Sequence, residues 1–145
     1  MCNFKKGKIV RRLISGSVQI GDYWRIESMH RGSMTIRSLV SPSIVLTTAD
    51  KNLYACVPMP SLVVSKTAIE LIRSNRQYRV IHLINKVWEK VLKNQPSIVR
   101  FHSITDNSEV IVKVENIYRT KTLTETCVNI NIEYIISYSK DETTV

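Results

Sequence analysis

The sequence predicts an α+β fold, an antiparallel sheet with one long amphipathic helix packed on it. Two periodicities and the composition lead to that expectation. Val80, Ile81, Leu83, Ile84, Val87, Trp88, Val91 and Leu92 follow a 3.6-residue repeat, while Arg79, His82, Asn85, Lys86, Glu89, Lys90 and Lys93 fill the opposite side. Val110, Val112 and Val114 alternate with Glu109, Lys113 and Glu115. Val128, Ile130, Ile132, Tyr134, Ile136 and Tyr138 alternate with more polar neighbours, which is the two-residue repeat of strands. Of 145 residues 43% are apolar, and only 4 Gly and 4 Pro occur, which suits an ordinary globular domain and argues against disorder or a large multidomain enzyme.

In chain order, residues 1–15 read as a basic N-terminal arm or short helix, with Ile9, Val10, Leu13 and Ile14 at helical spacing among Lys5, Lys6, Lys8, Arg11 and Arg12. Residues 16–140 are expected to form a single α+β domain, and residues 141–145 an acidic C-terminal tail. Gly16 and Gly21 punctuate the chain. Residues 23–48 carry Ile26, Met34, Ile36, Leu39, Ile44, Val45 and Leu46, which predicts two or three short strands broken at Gly32 and at Ser41-Pro42. Residues 52–60 are a loop containing Pro58 and Pro60. Residues 62–72 read as a strand or a short helix; Thr67, Ile69 and Leu71 alternate with Ala68 and Glu70, which favours the strand.

The long helix is expected over residues 76–93. Lys90 and Lys93 lie in its last turn, where cations suit the dipole, and Asn94 with Pro96 stops it. Residues 98–104 and the alternating run around Val112 form a hairpin at Asp106-Asn107-Ser108. Residues 128–138 give a third strand whose apolar face the helix would cover.

Twenty-one Lys and Arg against twelve Asp and Glu give a net charge of +9, concentrated in two blocks: +5 over residues 1–31 and +6 over residues 73–100, against −3 over residues 101–145. Such a field attracts phosphate, whether of anionic lipid or nucleic acid, and weakens as salt rises. The candidate membrane- or anion-binding residues are Lys5, Lys6, Lys8, Arg11 and Arg12. Arg73, Arg76, Arg79, Lys86, Lys90 and Lys93 are candidates for a partner or phosphate, the three arginines being placed at a helix start, where backbone N–H groups also favour anions.

Raw material for catalysis is sparse. His30, His82 and His102 stand apart from one another, and no HExxH, GxSxG or Gly-rich phosphate loop occurs, so neither an enzyme, a metal nor a cofactor is expected. Cys2, Cys56 and Cys127 are odd in number and widely spaced. They predict a reducing compartment, with Cys56 and Cys127 as small core residues and no disulfide framework. Cys2 beside Lys5 and Lys6 is a weak lipidation signal. No apolar run is long enough to cross a bilayer, and no secretion signal is seen. Glu142-Thr143-Thr144-Val145 fits the Ser/Thr-x-Val terminus read by PDZ domains, a host contact through Thr143–Val145.

Arg73-Ser74-Asn75-Arg76-Gln77-Tyr78-Arg79, followed by an amphipathic segment carrying Trp88, resembles a junction in rhabdovirus matrix proteins of the vesiculovirus type. The late strand running into Asp141-Glu142 is similar to one in that family. The resemblance implies a non-enzymatic, self-associating viral matrix protein that joins an anionic membrane surface to a viral nucleoprotein, in host cytoplasm, at the inner face of a membrane or in the virion. The alternative is a small basic nucleic-acid-binding viral accessory protein, an RNA-binding regulator or silencing suppressor. Apolar residues beside the basic arm, namely Phe4, Ile9, Val10, Leu13 and Ile14, favour the first; a continuous basic groove with exposed aromatics would favour the second.

Overall fold

The computed structural model describes residues 3–13, 23–81 and 86–140, and the side chains of all of these except residues 80, 81, 86 and 88. The chain divides into two compact units, Met1–Pro58 and Met59–Val145.

The first unit is a five-stranded antiparallel sheet. β1 (Ile9–Arg12), β2 (Tyr23–His30), β3 (Ser33–Ser38) and β4 (Val45–Thr48) follow one another as a meander, and β5 (Tyr54–Cys56) returns to the free side of β1, giving the order β4-β3-β2-β1-β5. A single 3-10 turn, Lys51–Leu53, leads into β5. Strand alternation sorts the side chains. Val10, Trp24, Ile26, Met34, Ile36 and Tyr54 pack as one core on one face, and Ile9, Arg25 and Arg37 lie in register on the other. Arg31 and Gly32 form a two-residue turn between β2 and β3, with φ of 47° and 84°. Two positive φ values in succession make the turn whose twist matches that of the strands it joins, and glycine is the residue that enters this region without a Cβ penalty.

The second unit holds β6 (Ser61–Val63), α1 (Lys66–Asn75), β7 (Gln77–Ile81), α2 (Lys86–Asn94), β8 (Ile98–Ser103), β9 (Ser108–Lys121) and β10 (Thr126–Ser139). The sheet order is β6-β8-β9-β10-β7, with β6 parallel to β8 and the other pairs antiparallel. Ile69 and Ile72 of α1 and Val91 of α2 pack on Phe101, Val110, Val112, Val128 and Ile130, so both helices cover the same sheet face. Phe101 is fully buried, and its ring centroid lies 5.2 Å from that of Tyr78. Arg100 reaches Glu109 at 3.0 Å beside the β8–β9 pairing, so Glu109 is an ion-paired, partly buried group.

The expected single sheet under one long helix is therefore corrected: among the described residues there are ten strands in two sheets, and helices of only ten and nine residues. The residues expected to form a helix over 76–93 divide into β7 and α2. Tyr78 and Val80 satisfy a two-residue repeat as well as a helical one, and five consecutive residues of β7 find backbone partners on β10. Packing against an existing strand outweighs a pattern that fits both. The expected strand over 62–72 is instead mostly α1. Ser65 caps it by accepting a hydrogen bond from the Ala68 N–H at 3.1 Å, and Ile69 and Ile72, three residues apart, bury one side. Arg76 ends α1 in the left-handed region, φ 55°, donating its N–H to the Ile72 carbonyl.

The hairpin at Asp106-Asn107-Ser108 is present, with Asn107 at φ 53° and Asp106 Oδ1 accepting from the Ser108 hydroxyl at 2.7 Å. Within the loop expected over 52–60 the chain forms β5. Cys56, read as a core thiol, is disulfide-bonded, whereas Cys127 is free and buried. Among the described residues, no helix is long and apolar enough to cross a membrane.

Candidate functional site

The basic N-terminal segment is built into a sheet. Ile9 and Val10, read as the apolar side of a helical arm, point to opposite faces of β1 and are 2% and 0% exposed. The amides and carbonyls flanking them are held as well: Gly7 N–H donates to the Ile26 carbonyl at 2.8 Å, and Ile26 N–H donates to the Lys8 carbonyl at 2.9 Å. Lys5, Lys6, Lys8 and Arg12 remain exposed and Arg11 is half-buried. Lys8, Arg11 and Arg12 thus sit on backbone paired to neighbouring strands, and Lys5 and Lys6 on the turn that leads into it.

A second cationic row, not singled out in the sequence, lies beside them. Arg25 and Arg37 are directly opposed on β2 and β3. Like charges in that position repel, and Glu27 offsets the repulsion by taking both arms of the Arg37 guanidinium, Nε to Oε1 and Nη2 to Oε2 at 3.2 Å. The Glu27 carboxyl is held below its ordinary 4.5, first by the Arg37 hydrogen bond and further by the charges of Arg37, Arg25 and Lys6. The remaining Arg37 nitrogen, Nη1, donates to the Pro42 carbonyl in the β3–β4 connection. One guanidinium therefore ties Glu27 on β2 to the loop that leads into β4, and the charge of Lys6 also reaches Glu27.

That loop and strand carry exposed apolar side chains. Val40, Ile44, Val45 and Leu46 are 39%, 48%, 40% and 41% exposed on the outer edge of the sheet. The sequence marked Ile44, Val45 and Leu46 as strand residues; β4 is an edge strand of four residues, Val45–Thr48, and its apolar side chains stay open to solvent. The signal that could have found them is the Ser41-Pro42-Ser43 break, which leaves too short a strand to be covered on both sides.

In the second unit the predicted basic residues are spread. Arg73 lies near the C-terminal end of α1, stacked 3.7 Å above the Tyr138 ring and 3.7 Å from Glu70. Arg76 is the α1 C-cap and Arg79 is on β7. Arg73 and Arg76 are at the end of a helix and Arg79 is on the strand that follows, so none of the three is at a helix start. Outward groups at a helix end are carbonyls, which favour cations, so the expected helix-start pull on phosphate does not operate. Lys86 opens α2, and Lys90 and Lys93 are exposed along it. Of the apolar residues expected on the covered side of the helix, Val91 is buried but Val87 is 47% exposed, because α2 is a short helix that turns only part of its surface to the sheet; Ile84, the side chains of Val80 and Trp88, and the terminal Thr143–Val145 lie outside the described residues and side chains. Among the described residues no three His, Cys, Asp or Glu side chains are grouped to hold a metal ion. Compared with protein-family models, curated proteins and solved structures, the chain matches none.

Proposed function

We propose that the protein is a non-enzymatic assembly protein of matrix type, whose first unit binds an anionic membrane surface peripherally and which joins that surface to a nucleoprotein partner through other contacts. One observation supports the reading: the first unit exposes the cations Lys5, Lys6 and Lys8 and, on the edge of the same five-stranded sheet, the apolar residues Val40, Ile44, Val45 and Leu46. Peripheral membrane binding uses this pair of features, cations to draw the protein to anionic headgroups and a modest apolar area to enter the interface. Ile9 and Val10 are committed to the interior, so the exposed apolar side chains available to act with the cations are Leu13, next to Arg12, and those of the β4 edge.

The test is co-sedimentation with vesicles of phosphatidylserine and phosphatidylcholine, beside phosphatidylcholine alone and naked single-stranded RNA. Each juxtamembrane cation contributes about 1 kcal/mol at modest salt. Replacing Lys5, Lys6 and Lys8 with Ser should therefore weaken binding to the anionic vesicles by about two orders of magnitude. Tight RNA binding with no vesicle binding overturns the proposal and promotes the nucleic-acid-binding alternative.

A further inference from the structure

The outer edge of β7 is a second recognition element, unrelated to the cations of the first unit. In the β7–β10 pairing Ile132 N–H donates to the Arg76 carbonyl at 2.9 Å, which makes residue 76 and, by alternation, Tyr78 and Val80 the residues whose backbone groups face β10. The N–H and C=O of Gln77 and Arg79 consequently face away from the sheet. Among the described residues β7 is the last strand on its side, so this is an open edge. Beside it runs a groove of about 430 Å³ walled by Thr67, Leu71 and Asn75 of α1, one helical stripe at intervals of four, and by Gln77, Tyr78 and Arg79 of β7. Leu71 is 49% exposed in this wall. An extended chain laid along β7 would pair with the backbone of Gln77 and Arg79 and turn alternate side chains toward Leu71.

Charge selects the occupant. Among the described residues no acidic side chain lines the groove, whereas Arg79 lines it and Arg76 is exposed where α1 passes into β7. A side-chain hydrogen bond with Cys127, and then the charge of Glu125, raise the Arg79 pKa, which places the guanidinium across the sheet face next to β10. A second copy of β7 pairing antiparallel would bring the Arg76–Arg79 stretch against itself, which like-charge repulsion opposes. We infer that β7 and the flank of α1 form a docking site for an extended acidic peptide segment of a partner protein, added to the sheet as an outer strand.

The probe is a nine-residue peptide alternating Glu with Val and Thr, titrated into the isotopically labelled full chain, beside a version with Lys for every Glu and a version with Pro at two alternate positions. The Glu peptide should shift the Gln77 and Arg79 amide resonances and slow their hydrogen exchange. The Lys peptide should bind at least about tenfold more weakly, and the Pro peptide, equal in charge but lacking strand donors, should leave both amides unprotected. Arg79→Gln removes only the charge and should weaken binding about threefold to tenfold. Arg79→Pro also removes the outward N–H, which serves no bond within the sheet, and should weaken it about tenfold more. Should Arg79→Pro fail to fold, the exchange protection of Arg79 in the unaltered chain decides. Binding by the Lys peptide equal to that of the Glu peptide, protection unchanged at Gln77 and Arg79, or no binding at all overturns the inference.

Discussion

Val10→Ala distinguishes a structural β1 from a detachable basic arm. Val10 is fully buried among Trp24, Ile26, Met34 and Tyr54, and its backbone pairs with Trp24 on one side and Cys56 on the other. Removing two methyl groups forfeits about 1.6 kcal/mol of transfer free energy, and a residual cavity of roughly 40 Å³ adds about 1 kcal/mol. The sum, about 2.5 kcal/mol, corresponds to a fall of roughly 10 to 20 °C in the melting temperature of a unit of this size. The assay is thermal and urea unfolding followed by the near-UV signal of the buried tryptophan Trp24. Lys5, Lys6 and Lys8 changed together to Ser should stay within about 0.5 kcal/mol of the unaltered chain, because their side chains are exposed. A Val10→Ala protein that melts with the unaltered one would refute the placement of β1 in the sheet.

Gly32→Ala should destabilise the first unit by about 1 to 2 kcal/mol, since a Cβ at φ 84° is strained although nothing lies within 4 Å of it; chemical denaturation measures this. Phe101→Ala should cost about 3 to 5 kcal/mol in the second unit, where it is 0% exposed beneath both helices, and a cost under about 1 kcal/mol would contradict that packing. Glu27 is held below its ordinary 4.5 by the Arg37 hydrogen bond, and Asp106 below its ordinary 3.8 by the Ser108 hydroxyl. Both carboxylates therefore favour folding fully above those ordinary values and lose that contribution as pH falls through their lower folded-state values. Glu27→Gln with Asp106→Asn should flatten the acid limb of a circular-dichroism titration; an unchanged acid limb would contradict the assignment.

Much of the sheet was legible in the sequence because alternation is a direct image of a strand. The hairpin at Asp106-Asn107-Ser108 and the run from Val128 to Ile132 have their apolar positions where the repeat puts them. The later part of β10 does not, since register shifts between residues 131 and 137 move Ile135 toward the helical core while Ile136 is also buried. The long helix misread had a physical cause. Apolar residues at 78, 80, 81, 84, 87 and 88 fit either repeat in part, and only the presence of β10 alongside decides for a strand. At Ser65 a local signal was present in the cap, yet the alternation of Thr67, Ile69 and Leu71 obscured it.

The candidate surface was half legible. Lys5, Lys6 and Lys8 stood out as a charge run, but their apolar companions did not, because exposure at a short edge strand depends on what fails to pack over it. Arg25 and Arg37 were invisible for another reason. Twelve residues apart in sequence, they meet only through the β2–β3 register.

The most direct measurement of the central proposal places a reporter on the β4 edge. Ile44→Trp puts an indole where 48% of the native side chain is exposed, and phosphatidylserine-containing vesicles should shift its emission to the blue and expose it to quenching by brominated acyl chains. The shift should be absent with phosphatidylcholine alone, diminish with added salt, and vanish when Lys5, Lys6 and Lys8 are Ser. An Ile44→Trp protein whose emission is unaffected by anionic vesicles at low salt would contradict membrane binding through this surface.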